Sequence, residues 1–296
     1  MRVKDKYLNP FTDFGFKKLF GVEPNKDILI DFLNELLRKD EGKIKDITYL
    51  SPEQLGRTLG ERKAIFDIYC ENEQGEKFIV EMQKAKQNYF KDRSIYYSTF
   101  PIQSQAQKGG WDFKLKSVYT VGILDFVFDE DKGSDQVFHH EVQLFDKSVQ
   151  AVFYDKLTYI YLEMPKFTKT IDELETHFDN WLYVLKNLEN LTDRPAKLQE
   201  SIFTKLFEQA EIANFDDKEY NEYEESLKTY RDLKNSIDTA REEGREEGRR
   251  EGREKGRREG GKEEKITIAG KLKRQNVPPE IISRSTGLRI EEIEKL

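Results

Sequence analysis

The residues best suited to chemistry are two acids that lie in short apolar runs. Asp67 interrupts the run of residues 65–69, and Glu81 follows Phe78-Ile79-Val80 and precedes Met82-Gln83. An unpaired charge among apolar neighbours is expensive, and two carboxylates brought together there repel each other, which raises the pKa of each. A bound divalent cation would resolve this conflict. Because the chain has few histidines and a single cysteine, oxygen ligands favour Mg²⁺ or Mn²⁺ over zinc.

The two runs that carry these acids are expected to form a β-hairpin. Residues 64–71 and 77–84 have the composition of strands, and Asn72-Glu73-Gln74-Gly75 between them is a turn signal. Side chains alternate along a strand, so Asp67 would share one face with Ile65. The hairpin would then place both acids on one face of the sheet.

The second strand of this hairpin carries the other polar candidates. Glu81 and Gln83 would share a face, and Lys84 would lie on the opposite face from Gln83, so we assign Lys84 no role. The pattern of an Asp, a gap and Glu-x-Gln is short and permissive. Its alternative interpretation is a pair of solvated acids on half-exposed strands.

The remaining pattern alternates between helical and extended segments. Helices are predicted over residues 12–20, 24–38, 88–107, 171–188, 197–210 and 218–240, and further strands over residues 44–50, 117–128, 137–145 and 156–163. This order predicts a mixed α/β core over residues 1–165, followed by a helical extension over residues 166–240.

The C-terminal part of the chain has a different composition. Every residue of 241–265 is charged or glycine, with glycine at every fourth position from Gly244 to Gly260. We interpret this run as a solvated helical linker, with a helix–helix contact that forms a homo-oligomer as the alternative. Residues 266–296 then predict three short helices around Gly287, a tail similar to a helix-turn-helix that could bind DNA or a second copy.

The composition excludes several classes of protein. No run approaches the roughly 18 apolar residues of a membrane-spanning helix, and Met1-Arg2-Val3-Lys4 precedes no apolar signal segment. A single cysteine, Cys70, is typical of a cytoplasmic protein. The net charge is −7, but residues 111–240 hold 27 Asp/Glu against 15 Lys/Arg, while residues 1–110 are slightly basic. The acidity is therefore concentrated away from Asp67 and Glu81 in sequence.

Several motifs in a fixed order resemble a known family. They are Asn9-Pro10-Phe11-Thr12-Asp13-Phe14-Gly15-Phe16-Lys17-Lys18-Leu19-Phe20-Gly21, Phe66-Asp67-Ile68-Tyr69, Ile79-Val80-Glu81-Met82-Gln83, Arg93-Ser94-Ile95-Tyr96-Tyr97 and Lys116-Ser117-Val118-Tyr119. Together they resemble the recombination-promoting nuclease (Rpn) family of the PD-(D/E)XK superfamily. The resemblance implies a restriction-endonuclease-like mixed sheet flanked by helices, and a metal-dependent DNA endonuclease associated with recombination or mobile DNA.

The resemblance also implies roles for individual residues. Asp67 and Glu81 would hold Mg²⁺ or Mn²⁺, with the backbone carbonyl of Met82 completing the shell. Gln83 stands where the superfamily often has lysine, and a glutamine can only donate or accept hydrogen bonds. This departure leaves an alternative function, a catalytically weak or inactive DNA-binding or regulatory protein on the same fold.

Three more residues are candidates near the first and third helices. Asp13 would supply an acid of the first helix, or act only as its N-cap. Lys17, one turn later, would contact DNA phosphate, or be a solvated lysine. Arg93 would aim its planar donors at phosphate, or be a surface or salt-bridging arginine.

Overall fold

The computed structural model describes residues 5–37, 43–54, 64–106, 112–128 and 137–296. Contacts divide the chain into two compact units, Met1–Lys234 and Asn235–Leu296, which are described separately. The domain boundaries at residues 165, 240 and 265 stay predictions. Within the described residues, no helix combines the length and the apolar character needed to cross a membrane.

A mixed β-sheet forms the centre of the first unit. Its strands in chain order are β1 (Ile47–Tyr49), β4 (Ile68–Asn72), β5 (Lys77–Gln83), β6 (Val118–Leu124), β7 (His139–Asp146) and β8 (Ala151–Glu163), while β2 (Glu53–Gln54) and β3 (Ala64–Ile65) form a separate short ladder. The described strands of the main sheet lie in the order β1-β4-β5-β6-β8-β7. The β5, β6 and β8 strands are parallel, and the β4–β5 and β7–β8 pairs are antiparallel.

The hairpin predicted around Gly75 is confirmed. Tyr69 pairs with Ile79, and Gly75 adopts the left-handed φ of 79° that the turn requires. The β5 strand is buried along almost its whole length because it lies between β4 and β6. The strand that carries Glu81 and the strand that follows Asp67 therefore both lie inside the sheet and not at its edge.

Helices pack around this sheet and share one aromatic core. In this unit they are α1 (Asp13–Phe20), α2 (Lys26–Leu37), α3 (Phe90–Ser104), α4 (His177–Asn187), α5 (Ser201–Ala210) and the first turns of α6 (Asp217–Arg274). The fully buried Trp181 of α4 lies 5.4 Å from Phe32 of α2 and 5.1 Å from Phe203 of α5, measured between ring centroids. The helices after residue 165 thus bury the same apolar surface as those before the sheet.

Three helix predictions need correction. The helix predicted over residues 171–188 begins with a separate 3₁₀ turn, Ile171–Glu173, and α4 starts only at His177, capped by Thr176. The helix predicted over residues 24–38 starts with a 3₁₀ turn, Glu23–Asn25, and Arg38 lies outside the described residues.

The helical interpretation of residues 241–265 is confirmed, but the helix over residues 218–240, this run and the first helix of the tail are one continuous helix, α6, and not separate elements. Glycine lowers helix propensity, but nothing stops the helix before Asn276, whose φ of 57° precedes Val277-Pro278-Pro279.

The second unit consists of the C-terminal part of α6 with α7 (Pro279–Thr286) and α8 (Ile290–Glu294). A small apolar cluster joins them, formed by Ala269, Ile282, Leu288 and Ile293. Gly287 caps α7 with a φ of 70°, and its N–H donates to the carbonyl of Ser283 at 2.8 Å. The predicted helices joined by a glycine turn are thus present.

A histidine of α4, His177, connects α2 with Glu200, the N-cap residue of α5; we call this arrangement the histidine clamp. His177 Nε2 lies 2.7 Å from Asp31 Oδ1, and its Nδ1 lies 2.9 Å from Glu200 Oε2. Trp181 Nε1 donates to the same Asp31 oxygen at 2.7 Å. The hydrogen bond to Asp31 is the main cause that raises the pKa of His177 to about 9, against the opposing effect of burial. The ring is therefore a cation at neutral pH.

This clamp makes the stability of the first unit depend on pH. A histidine whose folded pKa is raised stabilises fully below its ordinary pKa and loses that contribution as the pH rises through about 9. We expect His177→Gln to lower the free energy of unfolding by roughly 1.5–3 kcal/mol near neutral pH, because charged hydrogen bonds are lost. Melting curves of both proteins should converge by about pH 10. A gap that stays constant with pH would contradict this role.

Candidate active site

An interruption of the β4 strand creates the candidate site. The β4–β5 pairing ends at Ile68 and Val80, and the two preceding residues, Phe66 and Asp67, leave the ladder. The predicted continuous strand over residues 64–71 is therefore wrong. Asp67 lies at a bend between β3 and β4, not on a strand face shared with Ile65.

The burial of Phe66 accounts for this bend. Its ring centroid lies 5.3 Å from the rings of both Tyr69 and Tyr97, and its side chain is fully buried. Its N–H donates to the carbonyl of Pro52 at 3.0 Å. Because the Phe66 ring packs into this aromatic cluster, the backbone turns away from β5. The Asp67 side chain then hydrogen-bonds to the edge of β5 that the backbone leaves unpaired.

Asp67 and Glu81 are joined by reciprocal hydrogen bonds to the backbone. The Met82 N–H donates to Asp67 Oδ2 at 2.8 Å, and the Asp67 N–H donates to Glu81 Oε1 at 3.3 Å. These bonds replace the ladder that β4 and β5 would otherwise share. The two predicted acids therefore meet, through the edge of β5 and not through a common strand face.

Burial makes this acid pair costly when both members are charged. Burial is the main cause that raises the pKa of Glu81 to about 8, and the charge of Asp67 adds to it, while Arg93 opposes both. The pKa of Asp67 is also raised by burial, although the Met82 bond lowers it. Two neighbouring acids with raised pKa values are a common feature of sites that hold a cation or exchange protons.

Gln83 and Arg93 form a second pair beside the acids. Gln83 is nearly buried, its Nε2 donates to the carbonyl of Ala85 at 2.8 Å, and its Oε1 accepts a hydrogen bond from Arg93 Nη2. The other arm of Arg93 donates to Gln87, and its guanidinium carbon lies 5.6 Å from the centre of the Tyr97 ring. Arg93 is thus held in place by side chains of β5 and α3.

Asp13 and Lys17 lie close enough to the pair for their charges to act on Asp67: Asp13 raises its pKa and Lys17 lowers it. They form an ion pair at 3.0 Å with both side chains about half exposed, and the N-cap of α1 is Thr12. A groove of about 830 Å³ lies between Asp13, Lys17, Lys84 and the first turns of α6. Among the described residues, no three His, Cys, Asp or Glu side chains lie close enough to hold a metal ion, so Asp13 does not join the pair as a third acid.

Lys84, to which strand alternation assigned no role, lies near the acid pair. It is half-buried, its charge lowers the pKa of Asp67, and it lines the groove with Lys17. The strand alternation on which its exclusion rested stops at Gln83, where β5 ends. A lysine directly after the last residue of the strand was the only available signal.

The N-terminal motif sets the position of α1 and its lysines. Asn9 Oδ1 accepts from the Phe11 N–H at 2.7 Å, and the Asn9 N–H donates to the Tyr223 hydroxyl of α6 at 2.9 Å. A Cβ on Gly15 would lie 2.2 Å from the Asn9 carbonyl oxygen, so that position requires glycine. The motif is therefore a structural turn that fixes the helix carrying Lys17.

A mixed sheet flanked by helices, with two acids where its central hairpin opens, defines a restriction-endonuclease-like fold of the nuclease class. A sequence model of the family described as PD-(D/E)XK nuclease family transposase matches residues 10–240, and the chain belongs to this family. This match confirms the resemblance drawn from the motifs and supports a nuclease or mobile-DNA role. No curated protein and no solved structure matches the chain significantly.

Removing one charge of the acid pair should stabilise the protein when divalent metal is removed. The raised pKa of Glu81 means that ionisation costs the folded state stability as the pH rises from its ordinary value through about 8. With a chelator present, we expect Glu81→Gln to melt roughly 2–5 °C above the wild type at about pH 8.5, and equally near pH 5.

The matched control is Glu208→Gln, at an exposed position of α5. It should melt like the wild type at both pH values. A Glu81→Gln variant that melts lower than the wild type at the higher pH would contradict the repulsion between the two acids.

Proposed function

We propose that this protein is a divalent-metal-dependent DNA endonuclease that hydrolyses phosphodiester bonds, with a role in recombination or mobile DNA. The observation that carries the proposal is the reciprocal bonding of Asp67 and Glu81 at the edge of β5, in a chain of a nuclease family. A buried acid beside a partly buried one is otherwise a cost to the fold.

The donor set fits a hard cation. Asp67 and Glu81 supply carboxylate oxygens, and the backbone carbonyl of Met82 would be a third ligand. In a strand the N–H and C=O of one residue point to the same side, and the Met82 N–H points at Asp67. Mg²⁺ or Mn²⁺ is bound by few carboxylates and keeps several waters, which suits a site with two acids.

When bound, such a cation lowers the pKa of a water molecule and neutralises charge on the scissile phosphate. The remaining tasks fall to side chains of this chain. Asp67 and Glu81 would hold the cation, and their hydrogen bonds to backbone N–H groups fix one oxygen of each carboxylate. Lys17 and Lys84 bind the DNA backbone along the groove.

Arg93 supplies the positive charge that a lysine at the position of Gln83 provides in much of the superfamily. Gln83 has no charge and both ends of its amide are engaged, by Ala85 and by Arg93. The guanidinium stays cationic and offers donors in a planar fork suited to phosphate. Gln83 is therefore a positioning residue for Arg93, which stabilises the charge that develops on the phosphate.

A second candidate function, a DNA-binding or regulatory protein with weak catalysis, is favoured by one observation. The groove beside Lys17 and Lys84 is also lined by Glu219, Glu222 and Glu225 of α6. These acids lower the positive potential that a DNA backbone would meet. Binding of DNA without cleavage would select this alternative.

Cleavage of supercoiled plasmid tests the proposed activity. With Mg²⁺ or Mn²⁺ the purified wild type should nick or linearise the plasmid, and chelator should stop it. Asp67→Ala removes a ligand of the cation, so we expect its rate to fall at least about 100-fold. Asp172→Ala, at an exposed position outside the site, serves as the control. Equal cleavage by wild type and Asp67→Ala would refute the assignment.

Moving the positive charge from position 93 to position 83 tests whether Gln83 acts by positioning Arg93. Arg93→Gln should slow cleavage about 100-fold because a cation is lost. Gln83→Lys alone should also lose activity, because its ammonium group would repel Arg93. The double variant Gln83→Lys with Arg93→Gln restores one cation in the superfamily position, and should cleave faster than either single variant. A double variant slower than both singles would show that Gln83 does not act through Arg93.

A further inference from the structure

The β7–β8 hairpin extends beyond the rest of the sheet. The pairing of β8 with β6 begins at Leu157, whereas its pairing with β7 continues to Ala151 opposite Asp146. Among the described strands, residues 151–156 therefore pair with β7 alone. Asp146 accepts from the Ser148 N–H at 2.7 Å and thereby closes the turn at the tip. Two-stranded hairpins without a covering layer are marginally stable in water.

This extension exposes a set of large apolar side chains, which we call the hairpin patch. Each member is 46–74% exposed, and the members are Val142, Leu144, Phe145, Val149, Val152 and Phe153. Phe145 and Val152 are cross-strand partners and share a face, while Phe153 follows Val152 and points to the other face. Both faces of the ribbon are thus apolar and open to solvent.

The size of the hairpin patch is that of an interface. From these exposed fractions and the usual area of such side chains, it presents on the order of 600 Å² of apolar surface. This lies at the upper limit for the largest patch of a monomeric protein. Two hairpins that pack one face each would bury about half of this apolar surface per copy, on the order of 1,000 Å² in total with the usual polar share, which is the least that a specific interface requires.

The charges near the patch favour protein over nucleic acid. Its ionic neighbours are Glu141, Asp146 and Asp155 against Lys147 and Lys156, so this part of the chain is slightly acidic. A hairpin that wedges into DNA needs basic residues for the adjacent phosphates. An apolar surface with charges of both signs at its rim can instead pack against an identical surface.

We propose that the hairpin patch binds the same patch of a second copy of this chain. A two-fold contact of this kind is isologous, so each copy contributes the same face of its hairpin and packs it against that face of the other. The bulges between Val142 and Phe145 disfavour a continuous edge-to-edge ladder. The contact therefore consists of interleaved side chains. It uses neither the charged helical run nor the C-terminal tail, and it does not depend on the proposed nuclease activity.

Sedimentation equilibrium of the full-length protein tests this contact. At concentrations up to about 100 μM the wild type should reach twice its chain mass of 35.0 kDa. Phe153→Asp and Phe145→Asp each place a charge on one face of the hairpin, and the variant of the packed face should be a monomer. Both positions are more than half exposed, so the variants should keep the wild-type melting curve and circular dichroism spectrum.

The control is Ile95→Asp, which changes an equally exposed apolar residue on α3 and should remain dimeric. A monomeric wild type overturns the proposal, and so do two dimeric hairpin variants, which would move the contact to another part of the chain. Loss of the dimer in the control as well as in the hairpin variants also overturns it, since the hairpin would then have no special part. Hairpin variants that weaken DNA binding in a monomeric wild type would identify a wedge for DNA instead.

Discussion

At residues 66–67, side-chain hydrogen bonds replace the backbone hydrogen bonds that would continue the β4–β5 pairing. The geometry of the acid pair depends on this replacement. If β4 continued in register past Ile68, the edge of β5 at Met82 would be covered by backbone, and the acids would point away from each other's main chain. The ring of Phe66 prevents this because it is buried among Tyr69, Tyr97 and Phe100. An aromatic cluster beside the site thus decides the backbone path, and the backbone path decides where the carboxylates meet.

The acid pair is a cost that the surrounding charges reduce. Arg93 lowers the pKa of Glu81, and Lys17 and Lys84 lower the pKa of Asp67, although burial outweighs them. These cations come from three different elements, α3, α1 and the residue after β5. The helices that flank the sheet therefore supply the electrostatic environment of the hairpin as well as its apolar cover, and a shift of α1 or α3 would change the balance at the acids.

Local patterns were sufficient to predict much of this arrangement. The turn at Gly75 and the apolar runs on either side predicted a hairpin and the meeting of Asp67 with Glu81, because both signals act over a few residues. The bend at Phe66 was not predictable in this way, since it depends on rings about thirty residues later in the chain. The position of Lys84 near the acids was not predicted for a related reason, because strand alternation says nothing about a side chain beyond the last residue of β5. The charged glycine run was correctly predicted to be helical, but its union with the helices on both sides was not predicted, because average propensities cannot locate the end of a helix that lacks a stop signal.

The hydrogen bond from Asn9 to Tyr223 has a consequence for the smallest fragment that could keep the nuclease fold. It ties the turn before α1 to the beginning of α6, and Trp181 and Phe203 fill the core between these points. A fragment ending near residue 165 would lose all three of these later residues and leave Phe20 and Phe32 without their aromatic neighbour Trp181. The part of the sequence that holds the acid pair therefore cannot fold alone. It requires the acidic helices that follow it in order to fold, which is consistent with a family match that continues to residue 240.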